Sequence, residues 1–271
     1  MTDTEDARLR FTIDLARRAG ELGMGFFREI EKLTIESKGH QDLVSNGDRE
    51  VELFVRAELA RHYPDDGIVG EEHASVTGTS GYVWVIDPID GTANFVRGIP
   101  AWAVVIACVK DGRTAIGVVN EPASGEIFHA RRGGGAFVND RPIKISTAQS
   151  LAEGSVGVGF NNRTEARNIV SVVSQIISDR GVFYRNASGA IMLAYVAAGR
   201  LIGYTEEHMN GWDCLAAMLL VEEAGGIVEP FNRGDPIVNG TIVIAGGPGV
   251  FARIREISIA AYGDPLGQAP S

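Results

Sequence analysis

The segment Trp84-Val85-Ile86-Asp87-Pro88-Ile89-Asp90-Gly91-Thr92-Ala93-Asn94-Phe95 constrains this chain more than any other. Its apolar run reads as a strand that delivers Asp87 at the carboxyl end. Pro88 has no N–H to give a ladder, so it is expected to stop the strand and stiffen the turn. Asp87 and Asp90, three apart across that turn, can point at one place. Gly91 and Thr92 then open a short helix, whose first N–H groups lack intrahelical partners and suit an anion. Carboxylates beside an anion-binding helix start oppose each other in bare water. A divalent cation between them removes the conflict, and hard oxygen ligands with open positions suit Mg²⁺. The same residues would also serve a plainer purpose, as a strand end and a helix cap.

Other acids fall at comparable places. Ile68-Val69-Gly70-Glu71-Glu72 is a second short apolar strand ending in carboxylates. Asp48 stands at the start of a helix expected over about 48–62, and Trp212-Asp213 opens one expected over 214–224. Read alone, Asp48 and Asp213 are N-caps and Glu71 a solvated loop residue. Together they put acidic segments at strand ends and helix starts, where sites are built.

The net charge of −10 with no Lys/Arg cluster argues against a nucleic-acid surface. It also makes an anionic substrate awkward unless a cation intervenes. The two cysteines, Cys108 and Cys214, have no ligand spacing, which excludes a disulfide framework, a zinc ribbon or an iron–sulfur cluster and fits a reducing, cytoplasmic setting. The polar first residues carry no apolar leader, and no apolar run approaches the ~20 residues of a membrane span. Gly133-Gly134-Gly135 lacks the P-loop context and reads as a tight hairpin.

Periodicity gives a mixed α/β fold of the α+β type. Residues 1–148 read as two helices followed by an antiparallel sheet, and 149–271 as strands alternating with helices, the halves forming one compact unit. Strands are expected at 67–70, 82–86, 102–109, 115–120 and 201–204, and the tail 264–271 as loose chain.

Several motifs resemble the inositol monophosphatase family of Mg²⁺-dependent, lithium-sensitive phosphatases. Asp87-Pro88-Ile89-Asp90-Gly91-Thr92-Ala93-Asn94-Phe95 is similar to the family's first motif. Trp212-Asp213-x-x-Ala216-Ala217 followed by Glu223-Ala224-Gly225-Gly226 is similar to its second. Gly70-Glu71-Glu72, Asp42-Leu43-Val44-Ser45-x-x-Asp48 and Tyr195-Val196-Ala197-Ala198-Gly199-Arg200-Leu201 match in order. The resemblance implies the αβαβα layered sandwich shared with fructose-1,6-bisphosphatases, and a homodimer. It implies two to three Mg²⁺ per subunit, with Mn²⁺ able to substitute. Glu71, Asp87 and the Ile89 carbonyl would hold one ion, and Asp90 and Asp213 a second bridged by Asp87. Asp48 and Thr92 would orient or activate the attacking water, and Glu71 would help with a third, weaker metal. Gly91 and Thr92 would bind the phosphate beside Asp90 and Asp213, and Ala190 and Glu206 would contact the alcohol part.

Asn186-Ala187-Ser188-Gly189-Ala190 departs from the family's usual Gly-Ser-Ala order, and either Glu206 or Glu207 could face the substrate, with spacing favouring Glu206. His40 is a further candidate near the site. The resulting expectation is a Mg²⁺-dependent phosphomonoesterase acting on a small polyol phosphate, first myo-inositol monophosphate. The alternatives are a histidinol-phosphate phosphatase, resembled by Asn94–Ala103, and a regulatory binding protein.

Overall fold

A computed structural model describes residues 2–39, 42–161, 164–230 and 236–263. His40 and the tail 264–271 lie outside the described residues. In chain order the first half runs α1 (Thr2–Phe27), β1 (Ile35–Gly39), β2 (Asp42–Ser45), α2 (Asn46–His62), β3 (Gly67–Gly70), β4 (Tyr82–Asp90), α3 (Thr92–Phe95), β5 (Ala103–Lys110), β6 (Arg113–Glu121), β7 (Glu126–Arg131), β8 (Ala136–Val138) and β9 (Arg141–Pro142). The second half runs β10 (Ser155–Val158), α4 (Ala166–Ser178), β11 (Val182–Tyr184), α5 (Gly189–Ala197), β12 (Gly203–Met209), α6 (Gly211–Glu223), β13 (Ile227–Val228), α7 (Pro236–Asn239), β14 (Thr241–Gly246) and α8 (Phe251–Tyr262).

Strand alternation sorts the side chains into layers. Trp84, Ile86, Val104, Ile106 and Cys108 point to one face of the first sheet and pack with Leu15, Val51 and Val55 of α1 and α2. Their neighbours Val85, Val105, Ala107 and Val109 point to the other face and pack with Leu193, Ala216 and Leu220 of α5 and α6. Both faces are covered, so these strands are apolar throughout rather than alternating with polar residues. The second sheet repeats the arrangement. Tyr204, Val243 and Ala245 join the α5/α6 layer, while Val156, Val158 and Ile244 pack with Val172 of α4 and Ile254 of α8. The result is an αβαβα sandwich.

The first sheet has the order β3-β4-β5-β6-β7-β8-β9 and is antiparallel except for the parallel β3–β4 pair. The second has the order β11-β10-β12-β14-β13. Residues 148 and 149, where the two halves were expected to meet, lie in the connection between β9 and β10. Among the described residues no helix is long and apolar enough to cross a membrane.

Two local expectations are corrected. Pro88 does not end β4; the strand continues to Asp90, and its pairing with β5 shifts register between Asp87 and Asp90. The irregularity absorbs the missing N–H, so both aspartates leave the same strand. The strand expected over 201–204 is β12, which begins later and runs on through Glu206 to Met209. Its Glu-Glu-His run hides an element pinned between β10 and β14.

Candidate active site

Helix starts and the β4 end bring the acids together. Asp48 and Asp213 are not N-caps. Each is the third helical residue of a capping box, with Ser45 and Asn210 as the caps. Asp48 Oδ2 accepts the Ser45 N–H at 2.8 Å and the Ser45 hydroxyl at 2.6 Å, which leaves Oδ1 to accept the Thr92 hydroxyl at 3.0 Å. Asp213 Oδ2 accepts the Asn210 N–H at 2.9 Å. Thus each box spends one oxygen on the helix and leaves the other to face inward. Asp87 Oδ1 accepts the Ile89 N–H at 2.9 Å. Asp90 sits over the start of α5, where its Oδ2 accepts the Ser188 hydroxyl at 2.5 Å and the Ala190 N–H at 2.9 Å. The positive end of that helix favours the carboxylate.

The turn between β4 and α3 requires glycine. Gly91 has φ +95°, a left-handed conformation, and a Cβ there would stand 2.9 Å from the Ala101 carbonyl oxygen. Asn94 ties the turn to the α5 entry by donating to the carbonyls of Ala101 and Asn186.

These groups border a cavity of about 920 Å³. Of the predicted residues, Glu71, Asp87, Ile89, Asp90, Gly91, Thr92, Glu206 and Asp213 line it. Asp48 lies fully buried behind Thr92 and reaches the cavity through that hydroxyl. Ala190 is fully buried too, and its N–H is taken by Asp90. Glu206 faces the cavity, whereas Glu207 accepts from the Asn168 amide. The glycine run at 133–135 donates the N–H groups of Gly133 and Gly135 to the Glu223 carboxylate, as a hairpin and not a phosphate loop.

Burial first, then the charges of Glu71, Asp90 and Asp213, pushes the Asp87 carboxyl well above its ordinary value. Burial raises Asp90 to about 6 against the hydrogen bond from Ser188. Burial together with the charge of Asp90 raises Asp213 to about 7. Burial raises Asp48 as well, opposed by its bonds from Ser45 and Thr92. Carboxylates gathered this way repel one another, and a cation among them relieves both the repulsion and the lost hydration. Among the described residues no group of three or more acidic, histidine or cysteine side chains is placed so that it could hold a metal ion as it stands. The donor set nevertheless fits a hard divalent ion: carboxylate oxygens, the Ile89 carbonyl and open space for water.

Sequence reasoning missed several supports. Glu52 is fully buried on α2 and accepts from the N–H groups of Glu72 at 2.7 Å and His73 at 3.2 Å and from Arg56 at 2.6 Å. It thereby fixes the turn that carries Glu71. A carboxylate among Val51, Val55 and Leu59 on one helix face was the available signal. For Ser45 and Asn210 the signal was a capping residue three positions ahead of each aspartate.

Fold and cavity together define an αβαβα protein with acidic side chains converging on one pocket. Residues 5–258 match the inositol monophosphatase family. The chain is 37% identical over 250 residues to an inositol-1-monophosphatase of Mesorhizobium japonicum, covering 89% of this chain and 91% of the relative. It is 36% identical over 265 residues to the Nus factor SuhB of Escherichia coli K12, covering 96% and 97%. Among solved structures, the extragenic suppressor protein suhB of Bartonella henselae superposes with a TM-score of 0.88 at 32% identity, over 93% of this chain and 98% of that one. An IMPase of Thermotoga maritima gives a TM-score of 0.83 at 30% identity, over 94% and 98%. The chain belongs to the inositol monophosphatase family, whose members are phosphatases and generally metal-dependent.

Proposed function

We propose that this protein is a Mg²⁺-dependent phosphomonoesterase acting on a small polyol phosphate, with myo-inositol monophosphate as its first substrate. The observation that carries this reading is the convergence of Asp87, Asp90 and Asp213 with Glu71 on one cavity, beside the paired Asp48 and Thr92. Glu71, Asp87, Asp90, Asp213 and the Ile89 carbonyl would hold two to three ions. Divalent cations bound there supply Lewis acidity toward phosphoryl oxygens and lower the pKa of water.

The chain's own residues do the rest. Thr92 can give its hydroxyl proton to Asp48 Oδ1 or to the Ile89 carbonyl, each 3.0 Å away, and turns a lone pair toward an attacking water. Asp48, buried and held by Ser45, is placed to take up a proton passed through Thr92. Gly91 and Thr92, at the start of α3, line the same cavity, and their N–H groups would suit the phosphate. Glu206 stands at the side where the alcohol part would lie. A homodimer, a cytoplasmic setting and lithium inhibition belong to the same proposal.

A second reading, a regulatory binding role, draws on the likeness to the Nus factor SuhB of Escherichia coli. The intact acidic cavity favours catalysis over a scaffold alone. Phosphate release from myo-inositol 1-phosphate, histidinol phosphate, fructose 1,6-bisphosphate and a nucleoside 3′-phosphate, each with and without Mg²⁺, tests these readings. The expected result is Mg²⁺-dependent release, fastest from the inositol ester. Histidinol phosphate far ahead would reassign the substrate, and no metal-dependent release from any ester would favour the regulatory reading.

A further inference from the structure

Glu206 is held in a way that a merely exposed acceptor would not need. Its Oε2 accepts the Tyr204 hydroxyl at 2.5 Å, and its Oε1 accepts the Asn161 side-chain amide at 3.1 Å. Asn161 is itself anchored, donating to the His208 carbonyl at 2.7 Å. The Tyr204 ring is fully buried in the layer between the two sheets, two residues before Glu206 on β12. The backbone nearby has given up side chains to make room. A Cβ on Gly159 would stand 2.0 Å from Glu206 Oε2 and 2.4 Å from the Tyr204 hydroxyl, and one on Gly189 would stand 3.3 Å from that hydroxyl. The phenol and the carboxylate therefore form a built pair at the cavity wall, with each carboxylate oxygen tied to a separate donor.

We infer that Tyr204 is a specificity-determining positioning residue, whose buried hydroxyl locks Glu206 as a fixed acceptor for a hydroxyl on the alcohol half of the substrate. The inference rests on the phosphatase reading above and deepens it. A carboxylate offers about four lone-pair sites. Two are committed to Tyr204 and Asn161, and those left over keep a set direction into the cavity. A site built to bond a substrate hydroxyl discriminates strongly against an analogue lacking it, because the acceptor is then left without a partner. An unheld Glu206 would turn to water and lose that discrimination. The lock acts on recognition and leaves the reacting phosphate alone, so it belongs in KM and in the choice among alcohols.

Steady-state kinetics of the wild type and Tyr204→Phe on myo-inositol 1-phosphate and on cyclohexyl phosphate, the same ring without hydroxyls, test this. Comparing each variant with the wild type cancels the difference in leaving group. The wild type is expected to prefer the inositol ester. Tyr204→Phe should raise KM for that ester about tenfold, the order of one hydrogen bond to a charged group. It should leave kcat within about twofold and cyclohexyl phosphate unaffected, so the preference collapses. Gly159→Ala, which pushes a methyl into the carboxylate, should do the same. If Tyr204→Phe fails to fold, Asn161→Ala frees the other oxygen and is held to the same expectation. An unchanged preference in the folded variants, an equal loss on both esters, or a wild type indifferent to the hydroxyls overturns the inference. Hydrolysis of neither ester by the wild type would remove the inositol-phosphate reading on which the inference rests, and the inference with it.

Discussion

Asp90→Asn is expected to lower kcat roughly a thousandfold, the order seen when one preorganised electrostatic contact to the reacting group is lost. The chain should still fold. An asparagine oxygen can accept the same bonds from the Ser188 hydroxyl and the Ala190 N–H, so the tie to α5 survives. The variant lacks the negative charge, which is what an ion would be bound by. Removing one charge from a buried group of repelling carboxylates also relieves the metal-free fold. The melting temperature of the metal-free variant should therefore equal or exceed that of the wild type. Activity near the wild-type level in a folded Asp90→Asn protein would remove Asp90 from the metal-binding set.

Stripping the metal with a chelator should take phosphatase activity to background, with recovery on adding Mg²⁺. The accompanying stability change has a definite dependence on pH. Asp90 and Asp213 titrate near about 6 and about 7 in the fold, whereas an unfolded aspartate titrates near ~3.9. Between those values the folded chain holds more protons than the unfolded one. Stability therefore falls as pH rises through this window, and the loss is complete above the folded values. A bound cation favours the ionised carboxylates and must displace those protons when the pH is low. The Mg²⁺-induced rise in melting temperature should consequently be larger at pH 8 than at pH 6. A rise equal at both, or larger at pH 6, would mean that these carboxylates do not bind the ion.

Much of this was legible because chemistry and local structure coincide. The Trp84–Asp87 run is apolar on both faces, and only a strand covered on both sides has that use, so strand and carboxylate could be read together. The layered sandwich followed from motif resemblance and is the architecture observed. Pairwise contact was harder to read. Nothing in the spacing shows that Asp90 rests on the start of α5, ninety-eight positions ahead of Ser188. The supports of Glu71 and Glu206 were hidden for the same reason. Glu52 reaches the Glu72 and His73 amides across a helix-to-strand connection, and Asn161 meets Glu206 from 45 positions away in the chain. Capping residues were displaced by three positions because an acid in the first turn looks like a cap until its partner is seen. Pro88 misled because a proline ends most ladders, and here a register shift carries the strand past it.

The central claim is that carboxylates far apart in the chain grip divalent ions at one cavity, where the phosphate ester is cleaved. Anomalous diffraction from crystals soaked in Mn²⁺ tests it most directly. The account predicts peaks within about 2.0–2.6 Å of oxygens of Asp87, Asp90 and Asp213. Well-diffracting crystals with no peak at those side chains, or with the metal bound elsewhere, would contradict it.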